Sequence, residues 1–239
     1  MSDAYEARIE SYGRAFTDAL SHLGALDPHV LGAHIDEGPP FWPARRAYQL
    51  VRRPGRTILA TAGLGHPWQD EPGRPGYGYE LCIEFDEGIP WNSWPFARLA
   101  RIAEWSIRPG TDLLGLFAEA QAPSFETAGD GLPDAWRSHT GRIGVLFGLP
   151  LPACPPTFDT SDGSVRLVCV TLLHPRELAA ILEDPSRRAA IASELADRPR
   201  GHASLLDREL TAAALPTCAP YVAPAPPEPP ARKPWWKLW

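Results

Sequence analysis

The most regular hydrophobic pattern of the chain lies between Val165 and Glu183. Residues 165–173 form an almost unbroken apolar run rich in β-branched side chains, which predicts a strand buried on both faces. Pro175 follows where a helix tolerates proline, in its first turn, and Glu177 lies where the helix dipole favours a negative charge. Apolar side chains then recur at helical spacing, at Leu178, Ile181 and Leu182. The pattern predicts a central strand, a tight turn and an amphipathic helix that packs back onto the strand.

Helical periodicity occurs in other parts of the chain as well. Residues 3–23 place Tyr5, Ile9, Tyr12, Phe16, Leu20 and Leu23 on one stripe, and Asp3 with Glu6 resembles a capping box. Ser93 and Pro95 are typical of a helix start, and the buried stripe that follows is Phe96, Leu99, Ile102 and Trp105. Ser186 can cap a further helix through Leu195, and a weak helix is predicted at 204–214.

Extended patterns separate these helices. Residues 46–62 predict a hairpin, because AYQLVRR and RTILATAG flank the turn Arg53-Pro54-Gly55. YELCIEF at 79–85 and IGVLFGL at 143–149 predict two more strands, and the apolar side chains of 110–117 predict a short one. Strands interleaved with helices predict an α/β (α+β) fold in which a mixed β-sheet is flanked by helices.

Three stretches are predicted to be irregular. Glycines and prolines run through the segment after residue 23 as far as GPPFWP at 38–43, and again through the loop 63–78. Residues 120–142 are polar and rich in turn residues. Long loops in compact domains are often functional. We therefore expect Trp68, in the loop 63–78, and Trp136, in the polar excursion, to contact a partner.

Composition narrows the possible functions of the 239-residue chain. Apolar residues make up 44%, enough for a sizeable core, and the formal net charge of −6 argues against a nucleic-acid-binding protein. There is no signal-like segment and no apolar run long enough to span a bilayer, so we expect a cytoplasmic protein. None of the four cysteines forms a C-x-x-C pair, so we expect no metal and no cofactor. Arginine far outnumbers lysine, which indicates a GC-rich bacterial genome.

No set of side chains forms a recognisable catalytic motif. Glu84, Asp86 and Glu87 make a small acidic cluster, but without metal-loop spacing we expect a solvated strand end. The best candidates for an enzyme are His174 and Glu177, with Thr171 and Cys169 nearby. There the histidine would act as a base and the helix N-terminus would stabilise an anion. The alternative is that His174 caps the helix, and we expect no catalytic residue.

The end of the chain differs from the rest. Residues 215–234 are too rich in proline to pack as helix or sheet, and predict a semi-rigid spacer of about 60 Å at about 3.1 Å per residue. After it come Trp235, Trp236, Lys237, Leu238 and Trp239. This tail suits docking on a protein. The alternatives are weak interfacial contact with lipid, or folding back onto the domain.

Several segments, in this order, resemble the suppressor-of-fused domain family. They are TAGLG at 61–65, YELCIEF at 79–85, PFARLARIAEW at 95–105, LFGLP at 146–150 and VTLLHPRELAAILE at 170–183. The resemblance covers about residues 30–200 and implies a domain at 1–214 with a mixed sheet flanked by helices. The Pro-rich linker 215–234 and the Trp-rich motif 235–239 follow.

The resemblance implies binding of another protein, not catalysis. Animal members of the family restrain a transcription factor, whose bound peptide pairs as a strand between this domain and a second one. That second domain is absent here, so no peptide-binding residue carries over. Bacterial members are thought to neutralise toxins as immunity proteins, or have no assigned role. We therefore expect a regulatory protein-binding module, with a toxin or a regulatory protein as its partner and the oligomeric state open.

The partner-binding candidates are Trp68, Trp136, Trp235, Trp236, Leu238 and Trp239. The alternatives are a hydrolase-like enzyme using His174 and Glu177, and an adaptor that docks through its tail.

Overall fold

The structure, a computed structural model, describes residues 3–32 and 47–215. Its α-helices are α1 (Asp3–Ser21), α2 (Trp94–Ser106), α3 (Leu113–Glu119), α4 (Pro175–Glu183) and α5 (Arg187–Asp197). Its strands are β1 (Ala25–Gly32), β2 (Ala47–Arg53), β3 (Arg56–Thr61), β4 (Tyr79–Asp86), β5 (Ser124–Ala128), β6 (Arg142–Phe147), β7 (Thr157–Thr160) and β8 (Gly163–Leu173). Two 3₁₀ turns lie at Asp134–Trp136 and Ala212–Ala214.

The strands form one mixed sheet in the order β1-β2-β3-β4-β8-β6-β5. Strands β1 to β4 make an antiparallel meander, and β4 pairs in parallel with β8. The other side of β8 pairs antiparallel with β7 along its first half and with β6 along its second half. The predicted fold class, a mixed sheet flanked by helices, is confirmed.

Strand β8 is central because helices cover both of its faces. Val168, Val170 and Leu172 lie in the core cluster that holds α2. Leu167 and Cys169 lie in the cluster with α1, and Leu173 packs with α4 and α5. Both faces exclude water, which explains why the strand is apolar at nearly every position. The predicted strand at 165–173 and its helix are confirmed.

The predicted strand at 110–117 is wrong, since the chain forms helix α3 there. Asp112 begins the helix, and its carboxylate accepts a hydrogen bond 2.8 Å long from the N–H of Gly115. The apolar Leu113 is buried, whereas Leu114 and Leu116 are only partly buried against the core. A helix only seven residues long carries too few turns for its period to be distinguished from that of a strand.

Three further predictions need correction. Residues 25–32 form strand β1 despite Pro28, and its pairing with β2 is irregular between Leu26 and Val30. The excursion 120–142 contains β5 and a 3₁₀ turn, and the weak helix at 204–214 is only the turn Ala212–Ala214. Strand β7 was not predicted. The segment GPPFWP at 38–43 lies outside the described residues.

Candidate functional site

Strand β5 ends the sheet on one side. It pairs with β6, and within residues 3–32 and 47–215 no strand pairs with its outer side. The strand at the opposite end, β1, leads directly into residues 33–46, which lie outside the described part of the chain. An unpaired strand edge presents backbone donors and acceptors to a neighbouring chain. Strand β5 therefore offers one edge at which the sheet can be extended.

The hydrogen bonds of β6 show which backbone groups of β5 point outward. The N–H of Phe147 donates to the carbonyl oxygen of Pro123 over 2.9 Å, and the N–H of Gly148 donates to that of Cys169 over 2.8 Å. Odd-numbered residues of β6 thus bond to β5, and even-numbered residues bond to β8. By the register of the pair, residues 125 and 127 of β5 bond to β6. Those at 124, 126 and 128 direct their backbone groups away from the sheet, where Nη2 of Arg142 donates to the carbonyl oxygen of Glu126 over 3.0 Å.

A groove of about 240 Å³ lies between α2 and this edge. Arginines line it: Arg101 from α2, Arg108 from the turn that follows, and Arg142 from β6. The floor is aromatic, because the ring of Trp105 stacks on that of Phe125 with centroids 4.1 Å apart and planes 25° from parallel. This stack holds α2 against β5 and fixes the width of the groove.

The arginines of the groove are incompletely neutralised. The Nε of Arg142 lies 2.9 Å from a carboxylate oxygen of Glu126. Arg101 lies 3.6 Å from Asp130, whose side chain is 77% exposed and is also shared with Arg98 at 4.0 Å. The side chain of Arg108 forms no ion pair with any residue in the described part of the chain. The groove therefore carries an excess of positive charge.

The acidic cluster at the end of β4 differs from its prediction. Glu84 is fully buried, not solvated, and lies 2.8 Å from Nη1 of Arg56 and 3.1 Å from Nε2 of His202. Burial opposes ionisation of Glu84, but hydrogen bonds from His202 and Arg56 outweigh it and lower its pKa. Asp86 pairs with Arg200 over 3.1 Å. These ion pairs fix the segment around residue 202 to the sheet, so the cluster has a structural role.

Glu80 is a second buried carboxyl group in β4. It accepts hydrogen bonds from the N–H groups of Gly63 (2.9 Å) and Gly65 (2.7 Å) and from the hydroxyls of Tyr12 and Thr61. Burial raises its pKa to about 7 although these hydrogen bonds oppose the shift. The carboxyl group joins α1, β3 and the start of the loop 63–78.

His174 and Glu177, the candidate catalytic pair, are engaged in capping α4. Nδ1 of His174 accepts from the N–H of Arg176, and a carboxylate oxygen of Glu177 accepts from the N–H of His174 over 2.8 Å. Glu177 is buried and also binds the guanidinium of Arg208 and the N–H of Thr211. Burial opposes ionisation of Glu177, but the bonds to Arg208 lower its pKa. That of His174 is lowered by burial.

Of the predicted partner-binding residues, the structure describes Trp68 and Trp136. Trp68 is half-buried, with its ring edge against Tyr77 and the guanidinium of Arg74 at 5.7 Å. Trp136 is 4% exposed, and its indole N–H donates to the carbonyl oxygen of Leu206 over 2.8 Å. The remaining candidates, Trp235, Trp236, Leu238 and Trp239, lie outside the described residues. Contact of these side chains with a partner stays a prediction.

Sequence reasoning missed the groove arginines. The spacing of Arg101 and Trp105 places them on one side of α2, and Arg108 follows in the next turn, a signal that the sequence contains. Without β5, however, nothing indicated that this side of the helix adjoins an open strand.

Among the described residues, no group of three or more His, Cys, Asp or Glu side chains could hold a metal ion. No helix in that part of the chain has the length and apolar character needed to cross a membrane.

The sheet order and the helices on both faces define a mixed α/β domain. Solved structures that share this fold include two structures of Suppressor of Fused. The crystal structure of Drosophila Suppressor of Fused aligns with a TM-score of 0.53 and 17% identity, over 86% of this chain and 50% of that chain. The crystal structure of the Sufu–Fu complex aligns with a TM-score of 0.51 and 16% identity, over 86% of this chain and 91% of that chain.

The likeness confirms the fold that the sequence resemblance predicted. The chain spans about half the length of the Drosophila protein. At these identities the likeness shows the fold alone. No family model matches the sequence. No curated protein matches it either.

Proposed function

We propose that this protein is a regulatory protein-interaction module that binds an extended segment of its partner along β5. The observation that carries the proposal is the open edge of β5, where the backbone groups of residues 124, 126 and 128 point away from the sheet beside a groove. The suppressor-of-fused-like fold supports it, since one of the structures that share this fold is a complex of two proteins.

Strand addition fits the dimensions of this edge. A peptide that pairs with a sheet edge obtains affinity from main-chain hydrogen bonds and specificity from side-chain pockets. Each such bond contributes about 1 kcal/mol net, so the short β5 alone supports only weak binding. The groove beside α2 supplies the additional contacts, because it can receive the side chains of a strand that lies against β5.

The narrower role that we propose is immunity, in which the module neutralises a toxin in the cytoplasm without catalysis. The net charge of −6 suits electrostatic steering towards a basic toxin. The engagement of His174 and Glu177 in capping supports a non-enzymatic role. Coexpression with a growth-inhibiting product of an adjacent gene tests this role. Restored growth is expected, and unrelieved inhibition would count against immunity while leaving strand binding intact.

The binding proposal is tested by selecting displayed random peptides on the full chain. Glu126→Pro removes an outward N–H that β6 does not use, and proline is tolerated at such edge positions. Glu126→Ala is the matched control, since it removes the same side chain and keeps the N–H. Selected peptides should bind the wild type and Glu126→Ala, and lose binding to Glu126→Pro. Equal binding to both variants would overturn the proposal.

A third variant distinguishes docking through the Trp-rich tail from binding at β5. We propose the linker 215–234 as a spacer and residues 235–239 as a second contact. Replacement of Trp235, Trp236, Leu238 and Trp239 by serine leaves β5 unchanged. If this variant loses the selected peptides while Glu126→Pro keeps them, the tail and not the strand edge is the binding site.

A further inference from the structure

The charge of the groove defines the kind of segment that β5 can receive. We propose that the bound segment is acidic and carries carboxylate side chains at the alternate positions that face α2. This inference rests on the proposed function, because it assigns the chemistry of the partner at the same edge.

The alternation of side chains along a strand sets the geometry. Phe125 stacks on Trp105, so the odd-numbered residues of β5 face α2. A strand paired with β5 would direct every second side chain to that same face, at intervals of about 7 Å. Arg101 and Arg108 lie on this side of the groove. Every second side chain of the bound segment would therefore point towards two exposed guanidinium groups.

These two guanidinium groups are available to a ligand. Arg108 forms no ion pair with any described residue, and the side chain of Arg101 is 52% exposed with a loose contact of 3.6 Å to Asp130. Guanidinium groups bind carboxylates through two parallel hydrogen bonds, which gives both affinity and orientation. A carboxylate placed between them would replace the loose contact of Arg101. It would also pair with Arg108, which forms no ion pair with the residues that the structure describes.

The opposite face of the edge has a different character. Residues 124, 126 and 128 direct their side chains away from α2, and there Glu126 already neutralises Arg142 over 2.9 Å. A charged side chain of the bound segment would therefore gain little binding free energy on that face. The preferred segment is therefore acidic on one face and neutral on the other, and lysine at the α2-facing positions is repelled.

A polypeptide fits this edge better than a nucleic acid. The outward donors and acceptors of β5 repeat with the spacing of a strand, which a second backbone complements. The net charge of −6 opposes the approach of a polyanion to the rest of the surface, whereas a short acidic segment meets only the groove.

The test compares two labelled nine-residue peptides by fluorescence anisotropy with the full chain. One alternates glutamate with threonine and valine, and the other has lysine at the glutamate positions. We expect the glutamate peptide to bind the wild type at least about tenfold more tightly at low salt, with the difference shrinking as salt is added. The double variant Arg101→Glu/Arg108→Glu should reverse the preference. The matched control Arg14→Glu/Arg176→Glu makes the same change in net charge on α1 and α4, away from the groove.

The outcomes separate this inference from the proposed function. If the peptides bind equally well, lose affinity with Glu126→Pro and are insensitive to the arginine reversal, the acidic preference is overturned and strand binding stands. If neither peptide binds the wild type, or if Glu126→Pro binds as Glu126→Ala does, strand binding at β5 is overturned together with its specificity.

Discussion

Arg142 donates a hydrogen bond from Nη2 to the carbonyl oxygen of Glu126, 3.0 Å away, on the side of β5 that no described strand covers. Its Nε simultaneously binds the carboxylate of Glu126. The guanidinium of Arg142 thus binds a backbone carbonyl oxygen that no described strand uses, and it places a charged group at the edge of the sheet. Charged side chains at such edges are a common protection against pairing between sheets. Arg142 therefore guards the edge that we propose to be functional.

Arg142→Ala should increase self-association. The change frees the carbonyl oxygen of Glu126 and removes the long side chain that lies across it, so two copies can pair through β5. Sedimentation velocity over a series of protein concentrations measures this, with a larger weight-average mass expected for the variant. Arg176→Ala, on the exposed side of α4, serves as the control. Identical concentration dependence in all three proteins would show that Arg142 does not protect the edge.

Glu80 should make the stability of the fold depend on pH. Its pKa is about 7 in the folded chain and near its ordinary 4.5 in the unfolded chain. Between these values the folded chain holds one proton more at this site, so the free energy of unfolding falls as pH rises from 4.5 to 7. The contribution of this site is about 3 kcal/mol across the window. Denaturant unfolding of the wild type and Glu80→Gln at several pH values measures it.

Glutamine resembles the protonated carboxyl group, so Glu80→Gln should lose this part of the pH dependence. The difference in unfolding free energy between the two proteins then changes by about 3 kcal/mol between pH 4.5 and pH 8. Glu10→Gln, whose side chain is 70% exposed, should follow the wild type at every pH. A constant difference between the wild type and Glu80→Gln would mean that Glu80 titrates normally.

Arg208→Leu should destabilise the fold by about 3 kcal/mol, because it leaves the buried carboxylate of Glu177 without its charged partner. Urea unfolding measures the loss. Arg176→Ala, in the first turn of α4 next to Glu177, should change the free energy of unfolding little. The double variant Glu177→Gln/Arg208→Leu should be less destabilised than the sum of its single changes, since it buries no unpaired charge. Additive losses would show that the two groups do not interact.

The sequence predicted those elements whose burial is complete and regular. Strand β8 is covered on both faces, so its apolar run directly reflects its surroundings. Helix α4 combines Pro175, a capping glutamate and an apolar stripe, and each of these local signals agrees with the others. The hairpin of β2 and β3 was found for a similar reason, because its turn residues and its strands lie next to each other in the chain.

The candidate site was missed because it depends on the weakest strand. Strand β5 has the sequence SFETA, and four of its five residues are only partly buried, so neither an apolar run nor a clear alternation marks it.

The wrong prediction that Glu84 is solvated has a different cause. Glu84 lies near the end of β4 and precedes two exposed-looking acids, and only the distant Arg56 and His202 show that it is buried. Charge pairs across the fold leave no local pattern in the sequence.

The parallel pairing of β4 with β8 has a consequence for synthesis of the chain on the ribosome. Cys82 of β4 and Val168 of β8 are neighbours in the sheet but are separated by 86 residues. The antiparallel meander of β1 to β4 can assemble as it emerges, whereas the apolar edge of β4 has no partner until β8 has been translated. The nascent chain therefore carries that uncovered edge while the residues between β4 and β8 are synthesised, and during this interval the edge can aggregate.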